Sequence, residues 1–547
     1  MVIGGEEKKE ASESDNTQGI KLATERRKNN YDVFEDWLRE NGAEFSSLEL
    51  KEYPGPEGGS AASTTICGSS ISTQSTAALG ANASCDVSGD NAGSLKENEM
   101  RGVHTKITVP PGTVCMAVPR QCLITVEMGK ATDIGHKIVE ADLELDAPKH
   151  IFLMVYLLVD RQNTHSFFRP YYEILPKTLR NLQPIFYIYY KMPIFWNEEE
   201  LSYLKGSYLL SQIKERVEAI QEDYDSICEV APEFRDIATL ADFKWARMCV
   251  CSRNFGLLID GIRTSALVPH ADMLNHHRPR ETKWTFDSGR DAFTITTLQT
   301  IEAGAEVFDS YGQKCNHRFL LNYGFAIENN REIDGFCPNE VPLEFSLLPT
   351  DPLFALKSTF WSRDGSPDIK RVRVCVSNNE NTKSMLSMLR VIVANEDEMS
   401  SVSCSGLYMF RTAKDIRFPL SLRNERAALE HLLQIVRCAM SEYTTSLKED
   451  IRTLESNQFP MFSNERNAIV QVKGEKEVLQ HYENFAVTAI NIMDLNDNDF
   501  VAATAEIQSS EHHTTACYCV DVIGSIHRED RKKSKSNVIP VNSFMYT

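Results

Sequence analysis

The sequence predicts an α+β protein in which a β-rich domain is interrupted by helices and followed by an all-α domain. Two stretches rich in β-forming residues lie at 101–127 and 292–311, and each contains a glycine-bearing turn. Between them, residues 147–252 carry long helical patterns, which favours one β-rich domain with a helical insert. After about residue 345 the helical pattern dominates again.

The N-terminal part predicts one ordered segment between two disordered ones. Residues 1–30 lack an apolar signal core and are expected to be disordered. Residues 31–53 predict a helix and a strand, and one face of the helix is apolar, formed by Phe34, Trp37 and Leu38. Residues 54–99 are rich in Ser, Gly and Ala, which bury too little surface to offset the entropy of ordering. This segment is therefore predicted to be a disordered insertion.

The C-terminal half predicts a helical domain over residues 340–495 and a flexible tail over 496–547. Apolar residues in the helical domain keep the i, i+3, i+4 spacing of an amphipathic helix, namely Leu429, Leu432, Leu433, Val436, Met440 and Tyr443. Ser446 and Glu449 form the pattern of a capping box that opens the next helix.

Composition and charge limit the partners of the chain. Its 547 residues predict several domains, and 42% hydrophobic with 25% charged residues is typical of a globular protein. The net charge of −19 argues against binding to nucleic acid and suits a basic, lysine-bearing partner. No apolar run is long enough for a membrane span. We therefore expect a monomer in the cytoplasm or nucleus, with no nucleic-acid or membrane partner.

Several families of site are excluded by missing motifs. The fourteen cysteines include no CxxC pair, so no metal site is predicted, and the terminal "EHHTTACYC" is interpreted as part of the tail. The chain also lacks the GxGxxG, GxxxxGK[ST], HExxH and GxSxG patterns, which removes the main support for dinucleotide, P-loop, zincin and serine-hydrolase sites.

Two tyrosine–glycine pairs remain, in "DSYG" and "NYGF", with "ADMLNHH" upstream of them. Their order resembles the paired motifs that close the active site of SET-domain methyltransferases. The segment "RGVHTKITVPPGTV" resembles the opening motif of that domain, and "FKWARMCVCSRNFG" resembles the segment leading into its second half. The whole order, with "PLSLRNERAALEHLL" and "NERNAIVQVKGEKEVL", resembles the Rubisco large-subunit methyltransferase subclass.

The resemblance implies a SET domain over residues 100–330, with its helical insert, and a helical substrate-binding domain over 340–495. It also implies an S-adenosylmethionine-dependent protein-lysine N-methyltransferase that acts on a non-histone protein. Tyr311 matches the catalytic tyrosine of the family, and Phe255, Tyr311 and Tyr323 would line the substrate channel. The remaining positions would contact the cofactor or brace its loop: Arg101, Gly102, Val103, His104, Arg253, Asp272, Asn275, His276 and Phe325.

Two alternatives remain open. A protein-histidine N-methyltransferase has the same chemistry, but Phe255 provides an aromatic wall that suits lysine, whereas a polar residue there would suit an imidazole. A catalytically inactive SET-fold binding scaffold is the second alternative. The presence of Tyr311, Asn275 and His276 argues against it, since an inactive protein need not retain them.

Overall fold

The structure is a computed structural model, and it describes residues 29–54, 99–176, 191–362, 368–377, 379–404, 416–508 and 513–526. It confirms the predicted α+β class, with small β-sheets, helices inserted between them and a largely helical C-terminal region. The two segments predicted to be disordered lie almost wholly outside the described residues, which omit 1–28 and 55–98.

The β-rich part contains ten strands among the described residues. They are β1 (Leu48–Pro54), β2 (Glu99–Thr105), β3 (Val114–Pro119), β4 (Ile124–Thr125), β5 (Asn254–Ile259), β6 (Ile262–Leu267), β7 (Asn275–His276), β8 (Thr282–Asp287), β9 (Ala292–Thr297) and β10 (Phe308–Asp309). They form several small sheets: β1–β2, β3–β9–β8 and β4–β6–β5 are antiparallel, and β7 pairs with β10 in parallel.

Most of the helices before residue 330 lie between β4 and β5. The helices of this part of the chain are α1 (Asn30–Glu40), α2 (Val126–Lys130), α3 (Asp133–Glu140), α4 (Pro148–Asp160), α5 (Arg169–Tyr172), α6 (Glu198–Ser202), α7 (Leu209–Val230), α8 (Phe234–Ile237), α9 (Leu240–Arg253) and α10 (Asn316–Tyr323). Helix α4 packs against α9, and their buried side chains share one apolar core with the strands. The burial of each large apolar side chain contributes about 1.5–3 kcal/mol.

Helix α1 fits its predicted pattern and closes this core from the N-terminal side. Phe34 and Leu38 are fully buried, and Trp37 is nearly so. The helix begins with a capping box between Asn29 and Asp32. Strand β1 then pairs with β2 so that Pro54 lies opposite Glu99. The two described residues that flank segment 55–98 are therefore partners in this pair of strands.

The C-terminal region begins with two strands, which corrects the prediction that it is all-α. They are β11 (Glu340–Phe345) and β12 (Lys370–Cys375), an antiparallel pair. Val341, Leu343 and Phe345 are buried at every second position, the period of a strand with one face on a core. The helices are α11 (Phe354–Trp361), α12 (Asn379–Ile392), α13 (Glu396–Cys404), α14 (Leu422–Ser441), α15 (Leu447–Glu455), α16 (Asn464–Met493), α17 (Asp497–Gln508) and α18 (His513–Cys517). No described helix has the length and hydropathy of a membrane span.

Helices α14 and α16 form the centre of the second core. Leu429, Leu432 and Val436 are fully buried there, as the helical spacing predicts. The predicted capping box is confirmed, since the Glu449 N–H donates to the Ser446 hydroxyl and the Ser446 N–H donates to the Glu449 carboxylate at 2.7 Å.

The predicted flexible tail is corrected in its described part. Residues 497–508 and 513–526 are helical, and Tyr518 is buried in the second core. The Tyr518 hydroxyl donates to the Glu425 carboxylate at 2.5 Å, and Arg390 binds the same carboxylate with two bonds of 2.7 Å. These partners lie about 90 or more residues upstream, so local sequence patterns gave no indication of the contact.

Candidate active site

Two short strands bring the asparagine–histidine segment to the first tyrosine–glycine pair. In the parallel pairing of β7 with β10, Asn275 lies opposite Phe308 and His276 lies opposite Asp309. The His277 N–H also donates to the Asp309 carbonyl at 3.0 Å. The pairing places Tyr311, two residues after β10, beside His276.

Tyr311 is held by two hydrogen bonds to this segment. Its backbone N–H donates to Nδ1 of His276 at 3.0 Å, and its hydroxyl donates to the Leu274 carbonyl at 2.8 Å. Burial raises the pKa of the Tyr311 hydroxyl above its usual range, and the charge of Arg253 only partly opposes this. The hydroxyl therefore stays protonated at neutral pH and can act as a hydrogen-bond donor.

The imidazole of His276 is neutral at physiological pH. Burial, together with the charge of Arg278, lowers its pKa to about 3. The ring stacks on Tyr311 at a centroid distance of 5.1 Å. A neutral ring with Nδ1 as acceptor orients the backbone of Tyr311, so the predicted cofactor residue His276 also positions the tyrosine.

The second tyrosine–glycine pair completes an aromatic cluster. The ring of Tyr323, at the end of α10, stacks on Tyr311 with centroids 4.7 Å apart. Phe325 lies 6.3 Å from Tyr311 and 6.2 Å from Tyr323, and Phe319 stacks on Phe325 at 5.2 Å. Gly324 ends α10 in the left-handed conformation (φ +80°), which lets the chain turn Phe325 back toward the two tyrosines. Phe319 lies between the two tyrosine motifs, on α10, and was not among the predicted site residues.

Phe255 lies in a different set of rings. It packs at 5.4 Å against Trp284 and at 5.0 Å against Phe293, both in edge-to-face geometry. Among the ring pairs of the described residues, Phe255 makes no contact with Tyr311, Tyr323 or Phe325. Of the three predicted channel residues, the structure therefore brings Tyr311 and Tyr323 into contact, whereas Phe255 lies on β5.

Asn275 anchors β2 to the segment before β10. Its side-chain amide donates to the Arg101 carbonyl and to the Glu306 carboxylate, both at 2.7 Å. The Gly102 backbone lies so close that an added Cβ would stand 2.7 Å from Cδ of Glu306 and closer still to its Oε1. A side chain at position 102 would therefore displace the carboxylate of Glu306 from its present place beside Asn275. Glu306 lies outside the motifs identified in the sequence.

The rest of the opening motif contributes mainly backbone. Val103 is fully buried in the core, and its carbonyl accepts from the Val307 N–H at 2.7 Å. His104 is half-buried, and its backbone forms an isolated bridge with Glu306. The side chain of Val103 therefore serves packing, while the strand edge at 101–104 borders the site.

A buried charge cluster lies beside this strand. Nη1 of Arg253 donates to the backbone carbonyl of Asp272 at 3.1 Å and to the Asp272 carboxylate at 3.3 Å. The Tyr171 hydroxyl donates to the same carboxylate at 2.7 Å. Burial raises the pKa of Asp272, and the two guanidinium groups of Arg253 and Arg101 oppose that shift. Burial and the charge of Arg253 lower the pKa of Arg101. Two cations and one anion make the cluster net positive.

Two polar atoms of this cluster have no partner among the described residues. They are Nε of Arg253 and Oδ1 of Asp272, and both are buried. A buried polar group without a hydrogen bond costs about 1–3 kcal/mol, so such atoms mark a place where a ligand gains by binding. Tyr171 is the cluster member that sequence reasoning missed, because it comes from the helical insert about 100 residues before Asp272.

Comparisons with known proteins give matches for the C-terminal region and for the fold. Residues 348–479 match the family model described as Rubisco LSMT substrate-binding. The crystal structure of the SET domain of LSMT bound to lysine and AdoHcy superposes with a TM-score of 0.61 at 20% identity, covering 88% of this chain and 96% of that one. Rubisco LSMT bound to AdoMet gives a TM-score of 0.61 at 19% identity, covering 88% and 98%. The chain therefore has the fold of the LSMT SET-domain structures, and residues 348–479 resemble the Rubisco LSMT substrate-binding family.

Proteins similar to this chain in sequence carry a more specific description. The actin-histidine N-methyltransferase of Xenopus tropicalis is 27% identical over 375 residues, which cover 66% of this chain and 61% of that protein. The enzyme of the same description from Homo sapiens is 26% identical over 375 residues, covering 66% and 60%. The chain spans about three fifths of the length of these curated relatives.

Proposed function

We propose that this chain is an S-adenosylmethionine-dependent protein N-methyltransferase. The observation that carries the proposal is the convergence of Tyr311, His276 and Asn275 through the parallel pairing of β7 with β10. Such a site can align an acceptor nitrogen with a methyl donor, and alignment alone supplies a large part of the rate of a displacement reaction. The relatives and the solved neighbours are methyltransferases or bind the same cofactor by their descriptions, which supports this chemistry.

The residues present fit the cofactor. The net-positive cluster of Arg101, Arg253 and Asp272 suits the carboxylate of its methionine end, and the unpartnered Nε of Arg253 offers a buried donor. The strand edge at 101–104 and Asn275 border the same place. The cofactor supplies the methyl group. The chain supplies orientation, since the protonated Tyr311 hydroxyl and the stacked Tyr323 ring define one side of the acceptor path.

The observations differ on whether histidine or lysine accepts the methyl group. The relatives methylate histidine by their description, which supports a histidine acceptor over the lysine predicted from sequence. A neutral imidazole is available near pH 7, whereas lysine, with a pKa of about 10.4, must first lose a proton. Lysine remains the second candidate because the LSMT structure holds lysine.

Labelled cofactor and purified actin test the proposal directly, and mass spectrometry locates the labelled residue. Label on a histidine supports the first acceptor, and label on a lysine supports the second. Tyr311→Phe is the control and should abolish label in either case. If the wild-type chain labels neither actin nor any protein in an extract of its own cells, and calorimetry detects no cofactor binding, the scaffold alternative replaces the enzyme.

A further inference from the structure

A thiol, an imidazole and a carboxylate, each able to bind a metal ion, lie close together where α10 and β11 begin. Sγ of Cys315 lies 3.4 Å from Nε2 of His317 and 3.9 Å from Oε1 of Glu340, and the last two atoms are 3.8 Å apart. Cys315 and His317 are buried, and the side chain of Glu340 is 20% exposed. The cluster lies outside the residues assigned to the cofactor and acceptor.

We propose that Cys315, His317 and Glu340 form a binding site for a divalent cation of the zinc type. Tetrahedral zinc holds thiolate, imidazole and carboxylate donors at about 2.0–2.3 Å, which puts the donors about 3.4–3.6 Å from one another. The three observed separations lie within about 0.5 Å of this spacing. The exposed fraction of Glu340 leaves the fourth position to water, so the site is open on one side. This inference does not depend on the proposed function.

The local backbone explains why the donors converge. Cys315 is the N-cap of α10 with extended backbone angles (φ −66°, ψ 156°), so its side chain lies beside His317 in the first turn. Glu340 is the first residue of β11, and its position is fixed by pairing with Cys375 on β12. The site therefore joins the segment that follows Tyr311 to the first strand of the C-terminal region. Its third donor is 23 residues away in sequence, which is why the search for CxxC spacing did not find it.

The charges around the carboxylate allow the site to exist with and without a cation. Nη1 of Arg373 lies 3.5 Å and Nη2 of Arg318 lies 3.8 Å from Oε1 of Glu340, and both side chains are about half exposed. These contacts are long, and both guanidinium groups can turn to water when a cation binds. A thiol–imidazole hydrogen bond alone would explain the Cys315–His317 pair, but it would not require a carboxylate within 4 Å of both atoms.

Cobalt(II) is the probe for this site, because thiolate coordination gives a charge-transfer band in the near ultraviolet. The full chain, stripped with a chelator, is titrated with Co²⁺ and then with Zn²⁺ as competitor. We expect one saturable site, loss of the band in Cys315→Ser, and affinity lowered more than about tenfold in Glu340→Gln. Cys337→Ser and Cys438→Ser are the controls for a buried and an exposed thiol, and both should keep the band.

Two results would overturn the site: no saturable Co²⁺ band in the wild-type chain, or an undiminished band in Cys315→Ser. Should Cys315→Ser fail to fold by circular dichroism, Glu340→Gln decides, since it changes no packing volume. Zn²⁺ should raise the thermal midpoint of the wild type and of both controls. An equal rise in Glu340→Gln would also contradict the assignment.

Discussion

Replacing Gly102 by alanine tests the role of the backbone in the proposed cofactor site. The new Cβ would stand 2.7 Å from Cδ of Glu306, so the carboxylate must move away and break its 2.7 Å bond to Asn275. Loss of a hydrogen bond to a charged group costs about 1.5–3 kcal/mol. If cofactor binding requires Asn275 in its present orientation, this cost reduces the binding free energy, and cofactor affinity should fall at least about tenfold.

Isothermal titration with S-adenosylmethionine measures this effect, and Gly256→Ala is the matched control. Gly256 lies on β5, and no atom lies within 4 Å of a Cβ built on it, so that variant should bind as the wild type does. Glu306→Gln should keep most of the affinity because it retains a side-chain oxygen for Asn275. Wild-type affinity in Gly102→Ala would show that neither Glu306 nor Asn275 positions the cofactor.

Three further predictions concern single side chains. Tyr311→Phe should lower turnover more than about 100-fold while cofactor affinity stays within about threefold, measured by labelled-methyl transfer and calorimetry; unchanged turnover would remove Tyr311 from its role. Asn275→Ala, which deletes two bonds of 2.7 Å, should weaken cofactor binding about 10- to 100-fold. Burial raises the pKa of Glu475 from 4.5 to about 7. The stabilisation that the protonated carboxyl group gives the folded state is therefore complete below pH 4.5 and is lost as the pH rises through 7. Glu475→Gln should therefore gain up to about 3 kcal/mol over the wild type above pH 7 in urea unfolding and nothing near pH 4.5; a pH-independent difference would contradict this.

Local patterns predicted those elements whose stability is mainly local. The apolar face of α1 and the Ser446–Glu449 capping box follow from 3.6-residue periodicity and from side chains within three positions of each other. The prediction of a flexible tail was wrong for the described residues because their order depends on the contact of Tyr518 with Glu425, 93 residues earlier. The β11–β12 pair was not predicted because its two short runs are separated by a helix and lie within a region where helical patterns dominate.

The site shows the same division. Its tyrosines and its asparagine–histidine pair could be found because they lie in short motifs of fixed order, whereas Glu306, Tyr171 and Phe319 act through tertiary contacts. Glu306 is only partly buried, and its contact with Asn275 joins two segments that are separate in sequence, so no short motif indicates it. The ring contacts of Phe255 also depend on the packing of neighbouring strands, which no motif specifies.

The tyrosine-bearing segment is held from the C-terminal region as well as from the SET fold. The Asn316 N–H, at the start of α10, donates to the Asn339 side chain at 3.1 Å. A Cβ at Gly474 of α16 would stand 2.6 Å from Nδ2 of Asn339, so α16 packs closely against this link. The Ala326 N–H also donates to Asn467 of α16 at 3.0 Å. Because α10 carries Tyr323 and follows Tyr311 by five residues, these contacts make α16 a support of the aromatic cluster. The region that resembles a substrate-binding domain therefore also supports the site.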